Sequence, residues 1–216
     1  MPPSQRTPAN ERHEAAVRHL RRVDRCIRRV IDAVGPCTLR PRRDRFAMLV
    51  RSIIAQQISV AAAKTINARV TELVASRRIS AETLLAVSPA RLRTAGVSQQ
   101  KAAYLLDLAQ RVAGGDVRLT RLSHHDDEAI IADLTRIKGI GRWTAQMFLI
   151  FSLGRPDVLA EDDLGLRAGV QRIHDLAALP TKTEFRELAA PWRPFATVAS
   201  WYCWRSADLK LLAKPK

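Results

Sequence analysis

Residues 134–145, LTRIKGIGRWTA, are the most informative part of the sequence. Helical segments flank its centre, where Lys138-Gly139-Ile140-Gly141 predicts a turn. Two glycines one residue apart let backbone N–H groups approach an anion closely, and the following helix presents its N-terminal dipole to the same place. We therefore predict a helical hairpin at about 134–151, a structure that can hold one DNA phosphate without reading sequence. The alternative is an ordinary connection between helices closed by glycine.

Outward from that hairpin, apolar residues recur at helical spacing in most of the chain. Alternating strand-like runs are scarce, and the turn signals of β-hairpins are absent. The fold class is therefore predicted to be all-α, as one domain over residues 11–216 after a disordered tail at 1–10. The longer predicted helices are Glu11–Val34, Phe46–Ile58, Glu161–His174 and Trp192–Ala207. Further helices are predicted to begin after the capping serines Ser59, Ser80, Ser88 and Ser98.

The charge balance indicates a polyanionic partner. Lys and Arg total 36 against 21 Asp and Glu, a formal net charge of +15, which favours nucleic acid or an anionic membrane, although a merely Arg-rich protein is the alternative. We expect no signal peptide and find no apolar run long enough to span a bilayer, so nucleic acid is favoured over a membrane partner. The three cysteines lack metal-ligand spacing and are expected to be reduced. His124-His125-Asp126-Asp127 predicts an acidic helix start rather than a metal site.

Three further motifs carry a family resemblance. IKGIGRWTA (137–145) is followed by VLAEDD (158–163), IIAQQISVAAAK (53–64) precedes both, and PWRPFA (191–196) leads to Trp201-Tyr202. Together, in that order and over roughly residues 45–204, they resemble the helix-hairpin-helix (HhH-GPD) DNA glycosylase superfamily. Within it the chain resembles the alkylation-repair branch, the 3-methyladenine DNA glycosylase II family.

That resemblance implies a bilobal all-α fold with the active-site cleft between two lobes. The chain is similar to the short, helix-only form, because it has no room for the extra N-terminal β-rich domain of some bacterial members. It also lacks the four-cysteine cluster that holds an iron–sulfur centre in another branch. We therefore expect no cofactor and no metal.

Asp163 matches the catalytic aspartate of the family. Breaking an N-glycosidic bond builds positive charge on the deoxyribose, and a carboxylate beside the sugar stabilises that charge and can orient the attacking water. The alternative for an Asp-Asp pair before a helix is N-capping, and the two roles are compatible. We assign capping or support to Asp162.

Aromatic residues are the candidates for a base pocket. Alkylated purines carry positive charge, which an aromatic face attracts. Trp201 matches the family's pocket tryptophan, while Trp143 and Phe195 are further candidates; core packing is the alternative for all three and is favoured for Phe195. Met147 stands where relatives often carry an aromatic residue. Trp143 also occupies the position of the nucleophilic lysine in lyase-competent branches, so we expect no strand cleavage.

A flipped base leaves a gap in the duplex that a side chain must fill. The family match assigns this wedge to Gln57 or Ile58, the alternative being the end of a buried helix. The remaining predicted DNA contacts are Lys138, Gly139, Gly141, Arg142, Lys64 and Arg167, where the charged side chains have solvated surface charge as their alternative.

These expectations define a monofunctional DNA glycosylase that releases 3-methyladenine and 7-methylguanine after base flipping and leaves an abasic site. Its partner is double-stranded DNA containing alkylated bases, and it is expected to be a monomer of the bacterial nucleoid or the eukaryotic nucleus. Two alternatives stay open at this point: a non-catalytic DNA-binding module, and a bifunctional glycosylase/lyase.

Overall fold

The computed structural model describes residues 8–74 and 78–209. Within those ranges the regular structure is helical and no strand occurs, as predicted. The α-helices in chain order are α1 (Pro8–Val23), α2 (Arg25–Val34), α3 (Arg45–Ala55), α4 (Val60–Leu73), α5 (Ala81–Leu85), α6 (Pro89–Thr94), α7 (Gln99–Ala113), α8 (Asp127–Thr135), α9 (Arg142–Phe148), α10 (Leu164–Ile173), α11 (Lys182–Ala189) and α12 (Ala196–Arg205). A π-helical segment, Leu149–Leu153, continues α9.

Serine hydroxyls begin four of these helices, as the sequence predicted. Ser59, Ser80, Ser88 and Ser98 each accept a hydrogen bond from the backbone N–H three residues further on. This bond satisfies one of the donors that a helix start leaves without an intrahelical partner. Asp126 caps α8 in the same way, which confirms the acidic helix start predicted there.

Several predicted boundaries differ from the structure. Residues 1–7 of the predicted tail lie outside the described residues, and 8–10 belong to α1, so the tail was predicted too long. The predicted helix 11–34 is two helices, because the Asp24 carboxylate accepts hydrogen bonds from the N–H groups of Cys26 and Ile27 and starts α2 there. The predicted helix 46–58 ends at Ala55. The last two predicted helices begin later, at Leu164 and Ala196.

The chain divides into two compact units, Met1–Pro41 with Gly154–Lys216, and Arg42–Leu153. The single domain predicted for residues 11–216 is thus composed of two units, which we call the first and the second unit and describe separately. In the described part of the chain, no helix is both long enough and apolar enough to cross a membrane.

The first unit contains a buried polar cluster around Asp24, which we call the latch. The indole of Trp192, which is fully buried, donates a hydrogen bond to Oδ2 of Asp24 at 2.7 Å, and Nε2 of His174 lies 3.4 Å from the same oxygen. Burial alone would raise the pKa of Asp24, but its hydrogen bonds with His174, the Ile27 N–H and Trp192 together lower that pKa. Cys26 completes a group whose ligand atoms lie within 4.8 Å of one another. Because the Asp24 oxygens already accept these bonds, the group acts as a structural latch.

Helices α10 and α12 of the first unit approach each other backbone to backbone. A Cβ at Gly169 would lie 2.6 Å from the carbonyl oxygen of Cys203, closer than real atoms pack. Only glycine permits this contact, which brings the middle of α10 against the last turn of α12.

The second unit has α3 at its centre. Leu49, Val50 and Ile53 of this helix are fully buried, and α4, α7 and α9 pack against it. The first residues of α3 line a cavity of about 1220 Å³ with Arg118. Its last residues lead into the turn that joins α4, so the two ends of α3 serve different surfaces about 16 Å apart.

Candidate functional site

Asp163 caps α10. Its Oδ1 accepts a hydrogen bond from the N–H of Leu166 at 2.6 Å, and the indole Nε1 of Trp204 lies 3.4 Å from the same oxygen. The Asp163 side chain is half-buried. Capping and a chemical role therefore coexist in one residue, since a helix N-terminus favours the ionised carboxylate.

Of the two roles predicted for Asp162, capping or support, capping is wrong. Asp162 is exposed and forms an ion pair with Lys182, because the helix starts one residue later. Glu161 is bound in turn by the Arg186 guanidinium at 2.9 and 2.7 Å, and this hydrogen bonding lowers the pKa of Glu161. These pairs hold the segment that leads into Asp163.

Two tryptophans lie one turn apart on α12. The half-buried ring of Trp201 packs edge-on against Tyr202, with ring centroids 4.9 Å apart. Trp204 follows three residues later, a spacing that makes the two indoles neighbours on the helix surface. Trp204 was not predicted as a partner of Asp163. That spacing from Trp201 was the signal that could have indicated it.

Phe195 lies at the opposite end of α12, about 14 Å along the helix from Trp204. Its ring lies 5.4 Å from that of His19, and it lines a separate cavity with Pro41 and Pro156. The structure thus favours the packing alternative for Phe195 and does not bring it to the Asp163 carboxylate.

The hairpin of the second unit is formed by α8 and α9, so its first helix begins well before the predicted bound at residue 134. Gly139 has φ +80°, and a Cβ there would lie 2.1 Å from Cδ2 of Tyr104. The protein itself therefore requires glycine at this position. Gly141 is the N-cap of α9, and a Cβ there would meet nothing within 4 Å. No steric contact within the protein therefore requires glycine at this position.

Two side chains from outside the hairpin form hydrogen bonds with its backbone. The N–H of Lys138 donates to Oδ2 of Asp107 at 2.9 Å, and Nε2 of Gln56 donates to the carbonyl of Gly139 at 2.8 Å. The Lys138 side chain remains exposed. The backbone of the hairpin is thus fixed while its basic side chain faces solvent.

Residues 56–59 form a turn between α3 and α4, which we call the insertion turn. Gln57 is exposed with φ +57°, an uncommon conformation for a residue other than glycine. Ile58 is 37% exposed. The alternative that these residues end a buried helix is wrong, because α3 stops at Ala55. Both wedge candidates therefore lie on an exposed loop.

The other pocket candidates of the second unit are on α9. Trp143 stands in the first turn and is 38% exposed, whereas Met147, one turn later, is buried at 6%. Complete core packing therefore does not describe Trp143. An exposed tryptophan is an amphipathic surface suited to contact with a base or sugar.

The predicted phosphate ligands divide into two groups. Lys64 and Lys138 are exposed. Arg142 forms a two-pronged pair with Glu128 at 2.8 and 2.5 Å, which lowers the pKa of Glu128. Arg167 donates two hydrogen bonds to the carbonyl of Pro180 at 2.9 and 2.6 Å. The structure gives Arg167 a role within the fold rather than on a phosphate.

A comparison with protein families matches residues 50–194 to the HhH-GPD superfamily of base excision DNA repair proteins. The chain is 33% identical over 205 residues to DNA-3-methyladenine glycosylase 1 of Schizosaccharomyces pombe, covering 91% of this chain and 89% of that protein.

Solved structures give the same result. A 3-methyladenine DNA glycosylase of S. pombe in complex with abasic DNA superposes with a TM-score of 0.83 at 32% identity, covering 91% of this chain and 98% of the other. A DNA-3-methyladenine glycosidase from Bacillus halodurans gives a TM-score of 0.79 at 36% identity, covering 89% and 88%.

Proposed function

The chain belongs to the HhH-GPD superfamily of base excision DNA repair proteins, and from this membership we propose that it is a monofunctional DNA glycosylase for alkylated purines. Two of its relatives of known structure are named 3-methyladenine glycosylases or glycosidases, and one of these two is bound to abasic DNA, the product of base removal. The observation that carries the proposal is the half-buried Asp163 carboxylate, fixed at the start of α10 beside Trp204.

The proposed reaction is hydrolysis of the N-glycosidic bond. As the bond between C1′ and the base nitrogen breaks, the electron pair leaves with the base and positive charge develops on the sugar. The Asp163 carboxylate stabilises that charge and orients water towards C1′. The new C1′–O bond retains the water oxygen, and one water proton is released. The products are a free base and an intact strand with an abasic site.

Alkylated purines suit this site because they need little acid catalysis. A 3-methyladenine or 7-methylguanine base is cationic before bond cleavage and departs as a neutral molecule. An indole face such as that of Trp201 would favour a cationic base over an unmodified one, and the same argument applies to Trp143 taken by itself. Their exposure, partial for Trp201 and 38% for Trp143, supports this assignment.

The absence of lyase activity is part of the proposal. Strand cleavage by a glycosylase requires an amine that attacks the sugar and forms a Schiff base. Position 143 in the first turn of α9 carries tryptophan, whose indole N–H can only donate a hydrogen bond. Water is then the remaining nucleophile.

DNA binding is assigned to the hairpin and the insertion turn. The open surface at Gly141 and the exposed lysines 64 and 138 would meet phosphates, while Gln57 or Ile58 would fill the gap left by the flipped base. We further propose that the protein acts as a monomer. Its proposed location is that of the chromosome, which is the nucleoid in a bacterium and the nucleus in a eukaryote.

The direct test is incubation with duplex DNA methylated by a methylating agent, followed by chromatography of the released bases. We expect 3-methyladenine and 7-methylguanine without strand breaks. Treatment of the reaction with borohydride should yield no covalent protein–DNA adduct. Release of an oxidised base together with a trapped adduct would overturn the monofunctional assignment.

A further inference from the structure

One face of α7 supports both DNA-binding elements of the second unit. Lys101, Tyr104 and Asp107 are spaced three residues apart, so their side chains lie along the same side of the helix. Tyr104 packs against Gly139, and Asp107 accepts the N–H of Lys138. Lys101 reaches in the other direction, to the end of α3. A single helix thus contacts the hairpin and the insertion turn.

The Lys101 ammonium binds the last carbonyls of α3. Its Nζ donates to the carbonyl oxygen of Ile54 at 2.8 Å and to that of Gln56 at 2.6 Å. Carbonyls at a helix C-terminus have no intrahelical donor and carry the negative end of the helix dipole, so a half-buried cation satisfies both needs. These two bonds fix the backbone immediately before Gln57.

The same backbone is tied to the hairpin. While the carbonyl of Gln56 accepts from Lys101, its side-chain amide donates to the carbonyl of Gly139 at 2.8 Å. The position of Gln57 relative to the hairpin is therefore set by three hydrogen bonds, two from the Lys101 ammonium and one from the Gln56 side-chain amide.

We propose that Lys101 is a positioning residue for base extrusion: it holds the insertion turn in register with the hairpin, so that the wedge enters the duplex where the hairpin grips the backbone. This inference rests on the proposed function, since it concerns how that enzyme opens DNA. Lys101 itself contacts neither DNA nor the reacting atoms; it acts through the backbone of Gln56.

The first test compares Lys101→Met, which keeps the length of the aliphatic stem, with Arg118→Met, which removes one positive charge beside the far end of α3. The measured quantity is the ratio of Kd for an intact duplex to Kd for the same duplex carrying a tetrahydrofuran abasic site. The wedge fills the gap only in the second. We expect the ratio to fall about tenfold for Lys101→Met, since small misplacements have large effects, and to remain unchanged for Arg118→Met.

A second measurement separates positioning from loss of structure. Single-turnover release of 7-methylguanine should fall more for Lys101→Met on a paired duplex than on single-stranded DNA, where no extrusion is needed. Lys101→Arg, which restores the cation, should recover part of the loss. Adding Lys101→Met to Gln57→Ala should cost little more than Gln57→Ala alone, because both act on one step.

The inference is overturned by an unchanged Kd ratio, or by equal losses on paired and single-stranded substrates. Gln56→Leu, which keeps the Lys101 bonds but removes the link to Gly139, gives an independent test if Lys101→Met unfolds; it too should lower the ratio. Failure of the proposed function would appear differently, as no base released by the wild-type protein, while the Kd ratios would still report on Lys101.

Discussion

The surroundings of Asp163 and the region of the hairpin with the insertion turn use hydrogen bonds in opposite ways. At the hairpin and the insertion turn, the side chains of Lys101, Gln56 and Asp107 form hydrogen bonds with backbone atoms. These bonds fix the conformation of the backbone. At the start of α10 the backbone N–H of Leu166 donates a hydrogen bond to the side chain of Asp163. This bond fixes the position of a charged group. If, as proposed, the hairpin region binds DNA and the surroundings of Asp163 carry the reaction, substitutions in the two regions should affect different steps.

The largest expected effect is that of Asp163→Asn on base release. Asparagine also caps helix N-termini well, so the fold should be retained, while the charge that stabilises the transition state is lost. We expect the single-turnover rate to fall by about 10³-fold or more, as for loss of a principal electrostatic group, with affinity for abasic duplex within severalfold.

Asp162→Asn is the matched control, because Asp162 is exposed and paired with Lys182, and surface pairs contribute little. Its rate should remain within a few-fold of wild type. Equal losses in the two variants would remove the special role of Asp163 and with it the division between gripping and reacting.

The two hairpin glycines give the next largest effect, on affinity. Gly141→Ala adds a methyl group that meets no protein atom, so the melting temperature should hardly change. If a phosphate approaches this backbone, affinity for any DNA sequence should fall about tenfold, the equivalent of about 1.4 kcal/mol. Binding can be followed by fluorescence anisotropy on two unrelated duplexes.

Gly139→Ala is the informative contrast. Its positive φ and the Tyr104 ring leave no room for a methyl group, so this variant should lose about 1–3 kcal/mol of stability. An unchanged affinity for Gly141→Ala would mean that the hairpin grips DNA without backbone contact at that glycine.

The sequence predicted local features best. Helix caps at Ser59, Ser80, Ser88 and Ser98 were correct because a hydroxyl and an N–H three residues on form a complete motif. The family, the all-α class and the glycosylase activity were also predicted and are confirmed by the comparisons.

Long-range polar contacts were not predictable. The Gln56 amide and the Gly139 carbonyl are 83 residues apart, and Trp204 is 41 residues from Asp163. The spacing of apolar residues along the chain carries no information about such pairs. The split at Asp24 was missed for a related reason, since apolar spacing continues through residues 11–34 and hides a cap that also binds the distant Trp192. The roles of the individual site residues stay predictions until variants are measured.

Trp204→Phe should have a smaller effect on the reacting region. It removes the indole N–H that lies 3.4 Å from Oδ1 of Asp163, a long contact, while keeping an aromatic ring. A hydrogen bond of this kind contributes about 1 kcal/mol, so kcat should fall roughly fivefold with KM nearly constant. Trp201→Phe offers the comparison, because loss of a base contact should raise KM instead. A KM effect for Trp204→Phe would place it in the base pocket.

The smallest effect on base release is expected for Asp24→Asn, which lies in the same unit as Asp163 but in the latch. An amide has one acceptor oxygen, so either the α2 cap or the Trp192 indole loses its partner, at a cost of about 1–3 kcal/mol. The folded protein should release bases at the wild-type rate. A lower rate per folded molecule would show that the latch also sets the catalytic geometry.

The stability difference should depend on pH. Because the pKa of Asp24 is lowered in the folded protein, its stabilising contribution is fully present above the unfolded-state value, near pH 4, and is lost as the pH falls through the folded-state value. The gap in melting temperature between wild type and Asp24→Asn should therefore be constant from pH 7 to pH 5 and close in acid. Asp32→Asn, which removes an exposed pair with Arg21, is the control and should show almost no gap at any of these pH values.

The backbone contact between Gly169 and Cys203 has a consequence for how this enzyme can change. Since a backbone contact brings α10 and α12 together at this point, we expect that Trp201 can be exchanged without displacing the Asp163 carboxylate on the neighbouring helix. If Trp201 contacts the base as proposed, lesion preference can then change, or be engineered, by side-chain substitution on α12 while the chemistry is retained. Gly169 has to remain glycine during such changes, because any larger residue there would push the two helices apart.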